Sequence, residues 1–335
     1  MADARKTLYV VTGGAGFIGS NVVAALEERG LGRIAVCDRL GRGDKWRNVA
    51  KRALFDLFGP DRLFPFLDAH AAEIAAVVHM GAVSATTESD ADRMLEANFR
   101  LSCELWRWCA RHGARLVYAS SAATYGAGEH GFDDDASEAA LARLRPLNAY
   151  AWSKHLFDRW VARRLAEGGA APPQWAGLKF FNVYGPNEYH KDGQESVAVQ
   201  VYRRAAARRP ARLFKSHRRE YADGGQLRDF VWVGDCVDVV LWLLDHAGVS
   251  GLFNCGTGRA RSFADVAAAV FRALGRRPRV QYVPTPKPIR DRYQYFTEAR
   301  MQRLAAAGYG RPFTPLEEGV AEYVTRFLAA ADPYR

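Results

Sequence analysis

Short apolar runs alternate with longer stretches that repeat apolar residues every three or four positions, the signature of βα units in a parallel sheet. Leu8–Thr12 reads as a buried strand, and 17–29 as a helix with Ile18, Val22, Ala25 and Leu26 on one face. Strands are predicted at 34–37 and 76–79, a long helix at 90–112, and a strand at 115–118 leading into the small-residue segment 119–123. Further strands fall at 178–181 and 230–233, and a helix at 235–246. The mixed basic and apolar region 39–74 gives no clear periodicity. Pro172 and Pro173 make 168–174 a surface turn, and the polar stretch 215–226 reads as a loop or an inserted excursion. Beyond Gly256 the chain becomes helix-rich, with Pro284, Pro286 and Pro288 marking an extended connector. No repeat or low-complexity tract interrupts this order.

A length of 335 residues suggests about two domains. With 49% hydrophobic and 25% charged residues the chain can bury ordinary cores, which excludes a disordered, collagen-like or disulfide-stapled protein. Its longest apolar runs are broken at His79 and Asp245, short of a membrane span, and no secretory h-region follows Met1. Cys37, Cys103, Cys109, Cys236 and Cys255 form no CxxC pair, and an odd count suits reduced core thiols in a cytoplasmic protein. The histidines show no HxxxH or Cys/His ligand spacing, so no metal site is expected. The net charge of +10 fits an anionic metabolite. The doublets Arg203-Arg204, Arg208-Arg209 and Arg218-Arg219 lack interleaved aromatics and read as solvated faces, not a nucleic-acid groove.

Two motifs carry chemistry. Gly13, Gly16 and Gly19 follow the first strand and open the first helix, so the turn can tighten and its N–H groups can approach a pyrophosphate. Asp38 lies 19 positions beyond Gly19, after the second strand, where a carboxylate can hold an adenosine ribose. Arg39, Arg42 and Lys45 follow at once and favour a 2′-phosphate, hence NADP, with NAD possible. The fold expected is a doubly wound parallel α/β sheet of Rossmann type with a smaller mixed α/β domain. The dinucleotide domain would comprise 1–181 and 230–256, and the second domain 182–229 and 257–335. Tyr150 and Lys154 share a helix face at i and i+4, where the ammonium favours the phenolate. Ser120 and Ser121 end a strand aimed at the same crevice. Ser, Tyr and Lys on a dinucleotide fold suit alcohol oxidation by hydride transfer.

These features, with Asn182-Val183-Tyr184-Gly185-Pro186, resemble the extended short-chain dehydrogenase/reductase family. Segments 119–126, 181–186 with His190-Lys191, 228–230, 256–259, 292–294 and 306–309 are similar to its branch of ADP-heptose 6-epimerases. That resemblance implies a nucleotide-sugar substrate domain, an ADP-heptose substrate and inversion of C6 through a 6-keto sugar, for lipopolysaccharide core synthesis. It implies Tyr150 and Lys191 as the two acid/base groups, Ser121 orienting the reacting oxygen, and Lys154 binding the nicotinamide ribose. For the cofactor it implies Gly13, Gly16, Phe17, Ile18 and Gly19 at the pyrophosphate turn, with Asp38, Arg39 and Lys45 at the adenosine end. Met80, Gly81, Ala82, Val83 and Ser84, then Asn98, Lys154, Val183 and Lys191, would complete that site. For the substrate it implies Ser121, Asn182, Gly193, Gln200, Phe214, Lys215, Ser216, His217, Arg228 and Tyr293. Gln200 stands where the family carries His, and Lys179 where it carries Arg. A homo-oligomeric ring, possibly a pentamer, is also implied.

Three other readings stay open. A 4,6-dehydratase needs an acidic pair after the hydroxyl residue, and Ala122 and Ala123 stand there instead. A nucleotide-sugar 4-epimerase needs one base and would leave Lys191 superfluous. An NADP-sensing module without turnover would not need Tyr150 and Lys154.

Overall fold

The computed structural model describes residues 7–85, 88, 90–191 and 193–335 apart from 291–292. The opening apolar run forms β1 (Leu8–Thr12), followed by β2 (Arg33–Cys37), β3 (Asp56–Phe58), β4 (Ile74–His79), β5 (Arg115–Ser121) and β6 (Trp175–Phe180). Beyond them come β7 (Asn182–Tyr184), β8 (Ala211–Phe214), β9 (Leu227–Trp232), β10 (Gly251–Cys255), β11 (Ala260–Ser262) and β12 (Val280–Val283). Seven strands build one parallel sheet in the order β10-β6-β5-β4-β1-β2-β3. The strand order reverses between β1 and β4, and ligands of open α/β sheets bind at such a switch point.

Both faces of this sheet are covered, which is why its strands read as continuous apolar runs. Helices Phe17–Glu28 and Val233–Asp245 pack on one face through Val22, Leu26, Val237 and Leu241. Helices Leu101–His112 and Ala149–Ala166 cover the other, where Trp106 and Tyr118 both meet the Phe157 ring edge-on. A smaller unit holds β7, β9 and β11 in one sheet and β8 with β12 in another, around a core that includes Phe230, Val266, Phe271 and Tyr323. This is the doubly wound α/β architecture with a smaller second sheet region.

Several elements differ from the sequence reading. The unreadable 39–74 region holds a short 3-10 helix (Asp44–Asn48), strand β3 and helix Leu63–Ala69; β3, at three residues, is too short for alternation to reveal it. The long 90–112 helix is one rod with a π-helical turn at Leu95–Arg100. Lys287–Arg290 forms a short helix inside the stretch read as an extended connector. Gln174, read as part of a surface turn, is buried and donates its amide to the carbonyls of Leu243, His246 and Val249. All five cysteines are buried and free. Among the described residues no helix is long and apolar enough to cross a membrane, and no cluster of His, Cys, Asp or Glu could hold a metal ion.

Candidate active site

The glycine turn sits at the switch point. Gly13 has φ +65°, and a Cβ there would lie 2.5 Å from Gly81 N; one on Gly19 would lie 2.2 Å from the Gly13 carbonyl oxygen. The turn and the loop after β4 therefore meet backbone to backbone, the close approach a pyrophosphate cradle requires. The remaining residues fit a dinucleotide. Asp38, at the end of β2, accepts from Ala15 N at 3.0 Å and Arg39 N at 2.7 Å, and pairs with Lys45 at 2.6 Å. Arg39 and Arg42 stand exposed beside this neutralised carboxylate.

A chain of polar groups fixes the loop after β4. Ser102 donates to the Asn98 carbonyl at 2.6 Å, so it accepts from His79 Nε2 at 3.0 Å. His79 Nδ1 then accepts from the Thr12 hydroxyl at 2.6 Å, and Thr12 accepts from Gly81 N at 3.4 Å. Burial drives the His79 imidazole down to about 3, so it is neutral and this tautomer is kept. Asn98 clamps Val83 from both sides, accepting from its N–H at 2.8 Å and donating to its carbonyl at 3.0 Å. The same amide donates to Ser153 Oγ at 2.9 Å, and Ser153 donates to the Tyr150 carbonyl at 2.7 Å. Met80 to Val83 are half-buried and Ser84 is exposed.

Helix Ala149–Ala166 begins at Asn148, whose side chain caps Ala151 N at 2.8 Å and so sets Tyr150 in the first turn. Tyr150 hydrogen-bonds Ser121, which follows from β5 ending beside that turn. Lys154 is buried and donates to the Ala119 carbonyl at 2.9 Å. Burial pushes its ammonium down to about 8, against the pull of Asp158. The sequence reading put Lys154 in charge of favouring the Tyr150 phenolate. In the structure burial dominates and raises Tyr150, and the Ser121 hydrogen bond is what opposes the rise.

Lys191 lies in the loop after β7, with Nζ 4.3 Å from the centre of the Phe17 ring at the start of helix Phe17–Glu28. Burial lowers it, and the Glu188 and Glu195 carboxylates counter that fall. Asn48 anchors this loop to the glycine turn by donating to Ala15 O at 2.8 Å and Asn187 O at 3.0 Å. The segment Asp332 to Arg335 straps the same place: Lys51 pairs with Asp332, Tyr189 donates to Pro333 O, and Arg335 N donates to Asn187. Val183 packs between the two cores near Ile18, and Asn182 is exposed.

In the second unit Phe214, His217 and Tyr293 form an aromatic group, with the Arg228 guanidinium 5.4 Å above the Tyr293 ring. Ser216 and His217 are held by the Tyr295 hydroxyl. Lys215 is exposed, with its backbone bonded to the β12 edge. Gly193 and Gln200 are exposed too, and the Gln200 amide turns back onto Glu195 O at 2.9 Å. Arg292, part of the 292–294 likeness, lies outside the described residues.

Sequence reasoning missed Asn48, the Thr12–His79–Ser102 chain, Tyr295 and the Asp158–Lys179 pair. Asp158 alone was legible, at i+4 from Lys154 on the same helix face.

Residues 9–256 match the NAD dependent epimerase/dehydratase family, and the chain belongs to it. Its doubly wound sheet and the family's NAD dependence define a nicotinamide-dependent enzyme. Among curated relatives, the ADP-L-glycero-D-manno-heptose-6-epimerase of Nitratidesulfovibrio vulgaris strain DP4 is 49% identical over 330 residues, covering 98% of this chain and 100% of that one. The protein of that name from Fusobacterium nucleatum is 44% identical over 335 residues, with 98% and 100% coverage. Among solved structures, Helicobacter pylori ADP-L-glycero-D-manno-heptose-6-epimerase superposes with TM-score 0.80 at 25% identity, covering 97% of each chain. Thermus thermophilus UDP-glucose 4-epimerase in complex with NAD gives TM-score 0.74 at 28% identity, covering 97% of this chain and 100% of that one.

Proposed function

We propose that the protein inverts C6 of the heptose in an ADP-linked glycero-manno-heptose, supplying the lipopolysaccharide core. The observation that carries this reading is Lys191, a half-buried lysine whose ammonium lies over the Phe17 ring beside the glycine turn, in a chain nearly half identical to heptose 6-epimerases. Gly13, Gly16 and Gly19 would admit the pyrophosphate, Asp38 the adenosine ribose, and Met80 to Val83 with Asn98 and Lys154 the nicotinamide end. Lys45, Arg39 and Arg42 around a neutralised Asp38 support NADP over NAD. A nicotinamide held there would supply hydride acceptance from C6 and hydride return to it. Ser121 orients the reacting oxygen, and Tyr150 takes or gives its proton on one face of the sugar. Lys191 does so on the other, because a rotated ketone presents its oxygen away from Tyr150. Residues 182–229 and 257–335 would hold the nucleotide sugar, with Arg228 on phosphate and Phe214, His217 and Tyr293 around it.

The deciding experiment incubates the protein with ADP-D-glycero-D-manno-heptose and reads C6 configuration by NMR, for wild type, Tyr150→Phe and Lys191→Met. Both variants should bind coenzyme and lose most turnover. Full activity in Lys191→Met would favour a one-base 4-epimerase, and no conversion by wild type would favour the sensing module. A ring of identical subunits belongs to the same reading, and sedimentation of the pure chain tests it.

A further inference from the structure

Beneath Ser121 lies a buried cluster of charges for which the reaction gives no role. Lys179 on β6 pairs in register with Ser120 on β5, and both side chains converge on Asp158. Asp158 Oδ2 accepts from Ser120 Oγ at 2.7 Å and from Lys179 Nζ at 2.8 Å, and neither partner of the ion pair is exposed at all (0% for each side chain). Lys179 also donates to Thr124 Oγ1 at 2.6 Å, and Thr124 donates to the Ser121 carbonyl at 2.8 Å. The second Asp158 oxygen has no hydrogen-bond partner among the described residues. Tyr150, Lys154 and Asp158 stand at i, i+4 and i+8, along one face of a single helix.

A pair buried this way is weak evidence for stability, because desolvation offsets its attraction. Its placement invites another explanation. We propose that Asp158 and Lys179 are positioning residues for the acid/base step, their ion pair setting the net charge that Lys154 and Tyr150 experience. Lys154 and Lys179 contribute two positive charges around the single negative charge of Asp158. Arg159 and Arg145 lie near His155, and Asp134 and Asp133 near Tyr125, whereas the histidines and tyrosines packed there are neutral at ordinary pH. Burial holds His155 near 4 and His79 near 3, and holds the Tyr118 and Tyr125 hydroxyls well above their usual range. Among the described residues, Asp158 is the one charge that opposes the loss of the Lys154 proton. The same arrangement fixes Ser121, since its carbonyl hangs from Thr124 and thus from Lys179.

Electrostatics fixes the signs. Removing the negative charge lowers the titration of every neighbour, and removing a positive one raises it. In D158N both limbs of the pH profile for turnover of ADP-D-glycero-D-manno-heptose should move to lower pH, and in K179M to higher pH. The expected displacement is about one pH unit, the effect of a unit charge roughly 10 Å away at an effective dielectric of about 20. The tyrosinate absorbance missing from matched Tyr150→Phe counterparts should shift in the same senses, without turnover. D158N/K179M removes both charges and should return the limbs to their wild-type positions. Limbs that stay fixed while turnover drops, or that move alike in both single variants, would overturn the proposal. If one single variant does not fold, the direction of the other decides; if neither folds, a double variant displaced by a full unit overturns it. The inference rests on Tyr150 as an acid/base group. Turnover surviving in Tyr150→Phe sinks that reading, whereas an inactive Tyr150→Phe beside unmoved limbs sinks only this one.

Discussion

Acid should destabilise the protein through His79, and the amount can be worked out. The ring is buried between Thr12 and Ser102, and burial pushes its titration down to about 3. An unfolded imidazole titrates near about 6.5, so the unfolded chain takes the proton first as the pH falls. Folded stability is therefore complete above roughly pH 6.5 and is lost progressively toward about 3. Linkage puts the loss between pH 8 and pH 5 at ~2 kcal/mol, rising to ~4 kcal/mol near pH 3. Structurally, a proton on Nδ1 would face the Thr12 hydroxyl that now donates to it at 2.6 Å. Thr12 would have to turn, disturbing its hold on Gly81 N and the loop after β4 that meets the glycine turn. Urea unfolding at pH 8, 6.5 and 5 on wild type and His79→Gln measures this. Burial raises the carboxyls of Glu188, Asp229, Asp134 and Asp235, which gives the opposite pH trend. Those groups are common to both proteins and cancel in the difference, leaving wild type to lose ~2 kcal/mol more than the variant by pH 5. Equal losses in the two proteins would refute the argument.

Three further outcomes are expected. Gly13→Ala places a methyl 2.5 Å from Gly81 N at a φ of +65°, so coenzyme titration should show affinity weakened roughly a hundredfold, the order associated with an ångström of misplacement. Asn98→Ala leaves both polar groups of Val83 without their clamp, and urea midpoints should report a loss of ~2–6 kcal/mol at about 1–3 kcal/mol per orphaned group. Lys45→Ala removes a cation beside Asp38, so calorimetry should show NADP weakened about tenfold or more and NAD hardly changed; equal weakening of both would count against a 2′-phosphate contact.

Local chemistry made much of this protein legible from its sequence. Continuous apolar runs announced buried parallel strands, and the Gly13, Gly16 and Gly19 spacing announced a turn that only glycine can form. Tyr150 and Lys154 announced a shared helix face. Those signals survive because they depend on neighbours a few residues apart. The sequence could not show that Lys179 pairs with Ser120 and Asp158, that Asn48 ties the Lys191 loop to Ala15, or that residues 332–335 strap that loop to Lys51. Each of these joins residues far apart along the chain, and strand register or loop packing alone brings them together. The direction of the Tyr150 shift was likewise a tertiary outcome. Spacing says which groups are neighbours, but the desolvation that outweighs their attraction exists only once the surrounding protein has closed over them.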